Sequence, residues 1–486
     1  MALSFVQEPV ASADKVPVIT NWNPVVPYTL YESTISGLFY FRLVLEVRLT
    51  DSSGTLLAKM KQRRNGYATD ISGNAARATF DIRDIVNTQL EDTIADQNAT
   101  TKSIHTLGKN LTSTIFSKNS NQLLQIYVKG YQNYSSAANV SPTDDTSGAV
   151  DDTRWYIAAS LALEVGRGTD NFQGDAFEDY TSSSTLEYML SDLPYIPNQQ
   201  SSNNRLVNYV QSTDYHTIGF LNYEDKFDSE CNYFEIVYYN SAGSIIGEKQ
   251  YIRNHATTGG AIPSASGGEA DTDAERLLYF GCGPQNLQDS NVSATDADGS
   301  AAGQARPSNF SGYAYYSVRG SDTANDSGNY QTAPYYFVLQ DGSCKGFKVR
   351  RLGWRNSKGC YDYFNFKMKS TQTVQVSRNN YSTMLGDFSN TMYSYDNFAR
   401  GKRTRQTTAM LRETLNTDWI SEEETTLLES LLMSTNVNII ENADTTYTVP
   451  VMITDTNFLR KTVANEGVKI QYTINIEYAN PLNTNS

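Results

Sequence analysis

The chain has 486 residues, 39% of them apolar and only 19% charged, with a formal net charge of −14. It has 33 tyrosines, 19 phenylalanines and 4 tryptophans, too aromatic for a disordered chain and, with so few apolar residues, too polar for a membrane protein. The acidic balance disfavours sequence-independent nucleic-acid binding, which rests on counterion release by basic side chains, and it equally disfavours an anionic membrane surface.

At about 150 residues per domain the length predicts about three domains. Residues 1–15 show no basic stretch followed by an apolar run, and the chain has no run of about 18 apolar residues. The expectation is therefore no leader peptide and no membrane insertion. Cys231, Cys282, Cys344 and Cys360 lie far apart with no Cys-x-x-Cys spacing, which predicts free thiols rather than a zinc site.

Strand signals dominate from the start. Phe39, Phe41, Leu43, Leu45, Val47 and Leu49 recur at a period of two, the pattern of a strand with one buried face. Asp51-Ser-Ser-Gly54 is turn chemistry, so Thr55–Met60 is expected to return as the partner strand. A short helical turn is expected near Asp84, after the strand-like Ala78–Ile82. Residues 132–151 are rich in Ser, Thr, Ala and Asp and read as a loop, as do 256–308 and 319–331. Loops of that length are either disordered or functional.

Phe234–Ile246 repeats the pattern of Leu45–Leu57 at a constant offset, with Gly243 standing where Gly54 stands. This predicts two related β-domains. A third hairpin is expected between Tyr335 and Phe366, turning at Asn356–Gly359. Ser421 with Glu424 forms a capping box ahead of Leu427, Leu428, Leu431 and Leu432, which predicts one amphipathic helix. Val468, Ile470, Tyr472, Ile474, Ile476 and Tyr478 alternate with polar residues, the pattern of a half-exposed antiparallel strand.

No local motif marks a catalytic constellation, although a Ser–His–Asp or Cys–His triad, or a glycosidase-type carboxylate pair, needs no local motif and stays open as an alternative. His105, His216 and His255 are isolated, and there is no His-Glu-x-x-His pair, no Gly-x-Ser-x-Gly elbow and no phosphate loop. Asp296-Ala-Asp298-Gly299 begins like a calcium loop but lacks the later ligands, so it reads as a solvated turn. The expectation is a non-enzyme with no cofactor and no metal. The basic run holding Lys402, Arg403 and Arg405 is a positive cluster in an acidic chain; it reads either as a solvated linker or, by charge complementarity, as a contact to an acidic face of a neighbouring subunit. Tyr313, Tyr315 and Tyr316 are the candidate aromatic interface residues, since tyrosine joins a large apolar area to a polar tip.

Trp354, Asn356, Gly359, Asp362, Tyr363, Phe364 and Phe366 form a pattern that resembles uncharacterised virion structural proteins of tailed bacteriophages, with Cys360 in place of the second glycine. The helix around Thr417–Leu432, the following Val449-Pro-Val-Met-Ile and the alternating final strand are similar to the same proteins. So are Asn23–Tyr28 and Phe80–Val86. The resemblance covers roughly residues 17 to 90 and 335 to 480. It implies a tail, tail-tip or baseplate component built from immunoglobulin-like sandwiches, and it carries no catalytic residue.

Together these readings predict a mainly β chain of tandem immunoglobulin-like β-sandwich domains with long loops and a small C-terminal α+β region. The expected segments are 1–171, 172–330, 331–404 and 405–486. The expected role is structural, in a virion, as a homo-oligomer in a symmetric assembly with other virion proteins as partners and no direct nucleic-acid contact. The alternatives are a receptor-binding module gripping host-surface glycan and a capsid decoration protein.

Overall fold

The computed structural model describes residues 3–9, 18–19, 25–63, 75–90, 116–118, 123–157, 159, 191–193, 195–197, 204–221, 233–247, 249–253, 277–288, 310–321, 330, 332, 334–340, 346–388, 391–396, 398, 400–420, 422–441, 447–455, 457 and 470–480. Of these, 58% lie in strands and 7% in helices, so the protein is mainly β. Two compact units emerge. One holds Met1–Asp341, Arg355–Asp362 and Thr426–Thr435; the other holds Gly342–Trp354, Tyr363–Thr425 and Asn436–Ser486.

The first unit opens with two sheets that share one core. A three-stranded sheet runs in the order Leu3–Gln7, Pro27–Glu32, Ala76–Asp81. A five-stranded sheet runs in the order Val18–Ile19, Thr143–Ile157, Leu123–Ser135, Phe39–Leu49, Leu56–Gln62. Tyr28, Leu30, Ala78 and Phe80 from the first meet Leu43, Leu45, Val47, Ile126, Val128 and Tyr156 from the second in one buried cluster. The period-two pattern places these side chains on the inner faces, and fully burying each aliphatic one contributes about 1.5–3 kcal/mol. The expected hairpin across Asp51–Gly54 is present, pairing Leu45 with Met60 and Val47 with Ala58. Its inward face is shorter than the sequence pattern implies, because Phe39 is 43% exposed.

The same arrangement occurs a second time. In the first copy Pro27–Glu32, Phe39–Leu49, Leu56–Gln62, Ala76–Asp81, the short helix Arg83–Asn87, Leu123–Ser135 and Thr143–Ile157 come in this order, with the strand Phe116–Lys118 between the helix and Leu123–Ser135. In the second, Thr217–Leu221, Tyr233–Tyr239, Gln250–Arg253, Leu277–Gly281, the helix Pro284–Gln288, Tyr315–Ser321 and Tyr335–Leu339 do so. Four pairings recur, all antiparallel: first strand with fourth, second with third, second with fifth, fifth with sixth. The smaller sheets differ in their remaining strand, which is Leu3–Gln7 beside the first strand in one copy and Phe116–Lys118 beside the fourth in the other. In both copies an upstream strand pairs in parallel with the last, Val18–Ile19 in one and Asn204–Val210 in the other. Each helix is tied back in the same way, by Ile82 N–H donating to Val26 O at 3.1 Å and by Cys282 N–H donating to His216 O at 2.9 Å. Phe234, the counterpart of Leu45, packs between the sheets, stacked on Phe280 at 4.4 Å and edge-on to Phe220 at 4.9 Å.

Two stretches expected to be loops are ordered strands here. Residues 132–151 form the outer part of a long hairpin made by Leu123–Ser135 and Thr143–Ile157. Cross-strand polar pairs hold it where apolar residues are missing: Tyr134 donates to Asp145 at 2.8 Å, and Asn133 and Lys61 both donate to Asp144 Oδ1, at 2.6 and 2.9 Å. Within 256–308, Leu277–Gly281 is a sheet strand and Pro284–Gln288 a helix; 256–276 and 289–308 lie outside the described residues, as do His105, His255, Cys231 and Cys344. Of 319–331, residues up to Ser321 are strand.

The second unit is built on a seven-stranded sheet in the order Tyr361–Phe366, Arg350–Arg355, Val437–Glu441, Tyr447–Ile453, Thr473–Tyr478, Lys402–Asn416, Thr371–Ser382. The segments expected as 331–404 and 405–486 therefore contribute to one sheet, and the boundary after 404 falls within Lys402–Asn416. The hydrogen bonds decide this: Arg351–Trp354 pair with Val437–Ile440, across the expected boundary. Tyr335–Leu339 belongs instead to the six-stranded sheet of the second copy, beside Tyr315–Ser321. Of the alternating final segment, Thr473–Tyr478 is strand with Ile474 and Ile476 buried, Ile470 makes an isolated bridge to Ile420, and Val468 lies outside the described residues. The turn at Asn356–Gly359 forms as expected and belongs to the first unit. The helix forms at Glu422–Met433, and its buried Leu427, Leu428 and Leu431 belong to the first unit; Ser421, its expected cap, lies outside the described residues.

Candidate functional site

Two features stand out, one buried and one exposed. The buried one is the turn that carries the Trp–Asn–Gly–Asp pattern. Asn356 Oδ1 accepts from Lys358 N–H at 3.1 Å and from Cys360 N–H at 2.9 Å, so a side chain caps the turn from inside. Gly359 has φ of +93°, a conformation in which a Cβ is strained. Asn356 Nδ2 donates to Asp362 Oδ2 at 3.0 Å. Asp362 also accepts from Ser191 Oγ at 2.5 Å and from Asp192 N–H at 2.8 Å. Asp192 in turn accepts from Ser357 N–H at 2.7 Å and from Ser357 Oγ at 2.5 Å. Lys358 Nζ donates to Ser191 O at 3.0 Å.

These bonds clamp a segment some 170 residues upstream onto the turn. Burial, together with the charge of Asp192, pushes the Asp362 carboxyl up to about 7, against the pull of its hydrogen-bond donors. Burial likewise drives the neighbouring Cys360 thiol far above its ordinary range, which makes it inert as a nucleophile. The pattern residues are thus committed to holding the fold, and each polar atom named here already has a partner in the protein. Among the described residues no cluster of three or more His, Cys, Asp or Glu side chains is placed to hold a metal ion.

The exposed feature is a two-stranded ribbon. Thr371–Ser382 pairs antiparallel with Lys402–Asn416 over its whole length. Only Arg412–Asn416 of the second strand also pairs with Thr473–Glu477, so the rungs from Val374–Leu411 to Ser382–Lys402 extend past the sheet as a free ribbon. Nine residues of strand at about 3.4 Å each make it about 30 Å long. Every residue of Thr371–Ser382 is exposed. Thr383 N–H and Oγ1 close the far end by donating to Gly401 O at 2.8 Å and Arg400 O at 2.9 Å, and a small hairpin of Asp387–Phe388 with Tyr393–Ser394 crowns it.

The far end is apolar and open to solvent. Phe398 is 83% exposed, Met392 67%, Tyr395 60% and Met384 59%, with Leu385, Tyr393 and Tyr381 also exposed. Along one face of the ribbon Val374 and Val376 sit opposite Leu411 and Ala409. The basic residues lie on the same ribbon: Lys402, Arg403 and Arg405 are exposed, as is Arg378. Among the described residues none of these four cations has a carboxylate partner. Monomers rarely leave a contiguous apolar patch of this kind uncovered.

The two groups of expected interface residues fare differently. Lys402, Arg403 and Arg405 stand on the exposed ribbon. Tyr316 does not face solvent: it is fully buried, stacks on Phe337 at 4.8 Å and donates its hydroxyl to Cys282 O at 2.8 Å. Alternation along the strand puts Tyr315 on the opposite face, half-buried and stacked on Tyr239 at 4.6 Å. Tyr313 is half-buried beside Tyr238, with ring centroids 5.2 Å apart. Tyr381, Tyr393, Tyr395 and Phe398, on the ribbon, are among the aromatic residues that reach solvent. Their spacing in a stretch rich in Ser, Asn and Asp was the available signal for a chain end that does not enter a core. No protein-family model matches the chain, and no curated protein matches it.

Proposed function

We propose that this protein is a non-enzymatic structural subunit of a tailed-bacteriophage virion, in the tail, tail tip or baseplate, working through subunit–subunit interfaces. The observation that carries the reading is the ribbon Thr371–Asn416, a 30 Å-scale projection whose apolar end lies in solvent. A side-chain set of that kind is covered in the working state of a protein, and an assembly is what covers it. The resemblance of the Trp354–Phe366 pattern to virion structural proteins supports the setting, and the use of Asn356, Gly359 and Asp362 as fold-holding groups fits a structural role.

The duplicated bodies of the first unit are read as immunoglobulin-like sandwiches. Support comes from their two-sheet core, their antiparallel strand order and the upstream strand laid parallel to the last one. Immuno-electron microscopy of intact particles tests the function. Label on the tail or its tip is the expected result. Label spread over the head replaces this reading with a decoration role, and absence from particles overturns it.

A further inference from the structure

We infer that the ribbon docks head-to-tail on an acidic face of a second copy of this chain, so that copies associate into a ring or an open string. The inference rests on the structural reading above and names the partner.

Charge selects the occupant. Residues 371–410 contain Arg378, Arg400, Lys402, Arg403 and Arg405 against Asp387 and Asp396, a net of +3. The whole chain is −14, so everything outside the ribbon carries −17. A basic projection on an acidic body is complementary to another copy of that body. Charge also rejects one symmetry: a two-fold contact of ribbon against ribbon would set +3 against +3, whereas ribbon against body sets +3 against an excess of carboxylates. Made head-to-tail, the second contact is heterologous and closes into a ring or runs on as a filament; a reciprocal exchange of ribbons would stop at a dimer, and the test below separates the two.

Size and backbone agree. A ribbon about 30 Å long and about 10 Å wide presents about 300 Å² on each face. Both faces with the apolar end approach the roughly 800 Å² per partner of a standard interface. The outer edge of Thr371–Ser382 has no strand partner among the described residues, and its twelve residues include no proline and one cation, Arg378. Proteins that must stay monomeric blunt such edges with charge, proline or bulges; this one has a single register shift, at Asn379/Asn380.

The test is sedimentation velocity on the full chain at about 0.05 M and about 0.5 M NaCl, where the Debye length differs about threefold. The expected result is concentration-dependent species beyond the dimer at low salt, weakened at least tenfold at high salt. The variant K402E/R403E/R405E turns the ribbon from +3 to −3 through three exposed side chains, and it should be monomeric at both salts with unchanged circular dichroism. A second variant, M392S/Y393S/F398S, keeps the charge and removes apolar contact; it should weaken association at least tenfold.

Mixing decides the symmetry. The charge-reversed variant retains its acidic body, so in a head-to-tail assembly it accepts a wild-type ribbon and extends no further, shortening wild-type oligomers. Association that stops at a dimer, or charge-reversed protein that associates like wild type, overturns the inference. A wild-type chain that stays monomeric while intact particles carry the protein overturns the inference alone and leaves the structural reading standing. Absence from particles overturns that reading.

Discussion

Replacing Asn356 with alanine removes three hydrogen bonds at once. Its carbonyl oxygen holds the N–H groups of Lys358 and Cys360, and its amide donates to Asp362. Cys360 is fully buried, so its orphaned N–H bears the full desolvation penalty, about 2 kcal/mol. Lys358 N–H is partly buried and recovers some hydration, leaving about 1 kcal/mol. The lost donor to Asp362 adds about 0.5–1 kcal/mol. N356A should therefore cost about 3–4 kcal/mol, a large share of a typical 5–15 kcal/mol stability. Urea unfolding followed by tryptophan fluorescence reads it directly, because Trp354, two residues away in sequence, is fully buried. At an m-value of about 3 kcal/mol/M the midpoint falls by about 1 M. N356D keeps the acceptor but points a second carboxylate at Asp362, so its deficit should grow above neutral pH. A midpoint for N356A within about 0.2 M of wild type would refute the assignment of Asn356 as the internal cap.

The Asp362 carboxyl, raised to about 7 in the fold, stays protonated where the unfolded chain has released its proton. Wild-type stability should fall as pH rises from about 4 to about 7 on this account, and D362N should flatten that slope in urea midpoints taken across the window; parallel slopes would show that Asp362 does not titrate there. Arg350 donates through Nε to the buried Glu413 at 2.7 Å, which also accepts from Gln372 at 3.0 Å and from Tyr478 at 2.9 Å. Burial pushes the Glu413 carboxyl up, but Gln372, Arg350 and Tyr478 together hold it below its ordinary value. Its contribution is therefore present at neutral pH and lost as pH falls below about 4.5, and R350M should cost about 3–5 kcal/mol at pH 7 in chemical denaturation. A Cβ on Gly219 would lie 2.1 Å from Cys360 Sγ, so G219A should destabilise by about 1–3 kcal/mol, and by less in a C360A background; equal costs in both would remove the thiol as the obstacle.

Period and turn chemistry were enough to read local structure. The strand through Leu43, Leu45 and Val47, its Asp51–Gly54 turn, the helical turn at Arg83–Asn87, the turn at Asn356–Gly359 and the Thr473–Tyr478 part of the alternating Val468–Tyr478 formed where side-chain spacing put them. The likeness between Leu45–Leu57 and Phe234–Ile246 likewise marked a repeat whose full extent is seven matched elements. Alternation fixes which residues share a face but not which face is covered, so Tyr315 and Tyr316 could not be told apart until the opposing sheet was in place. Residues 132–151 lacked a sufficient apolar run, and cross-strand partners stabilise them instead; Leu277–Phe280 is an apolar run, but inside a long Gly, Ser and Asp-rich stretch it does not show which strand it pairs with. Asp362 meets Ser191 and Asp192 only because folding brings together residues some 170 apart, and no local pattern encodes such a pairing. The exposure of the ribbon is of the same kind: its sequence allows a paired strand, and only the sheet order leaves Thr371–Ser382 at the edge, where one side of its backbone has no strand beside it among the described residues.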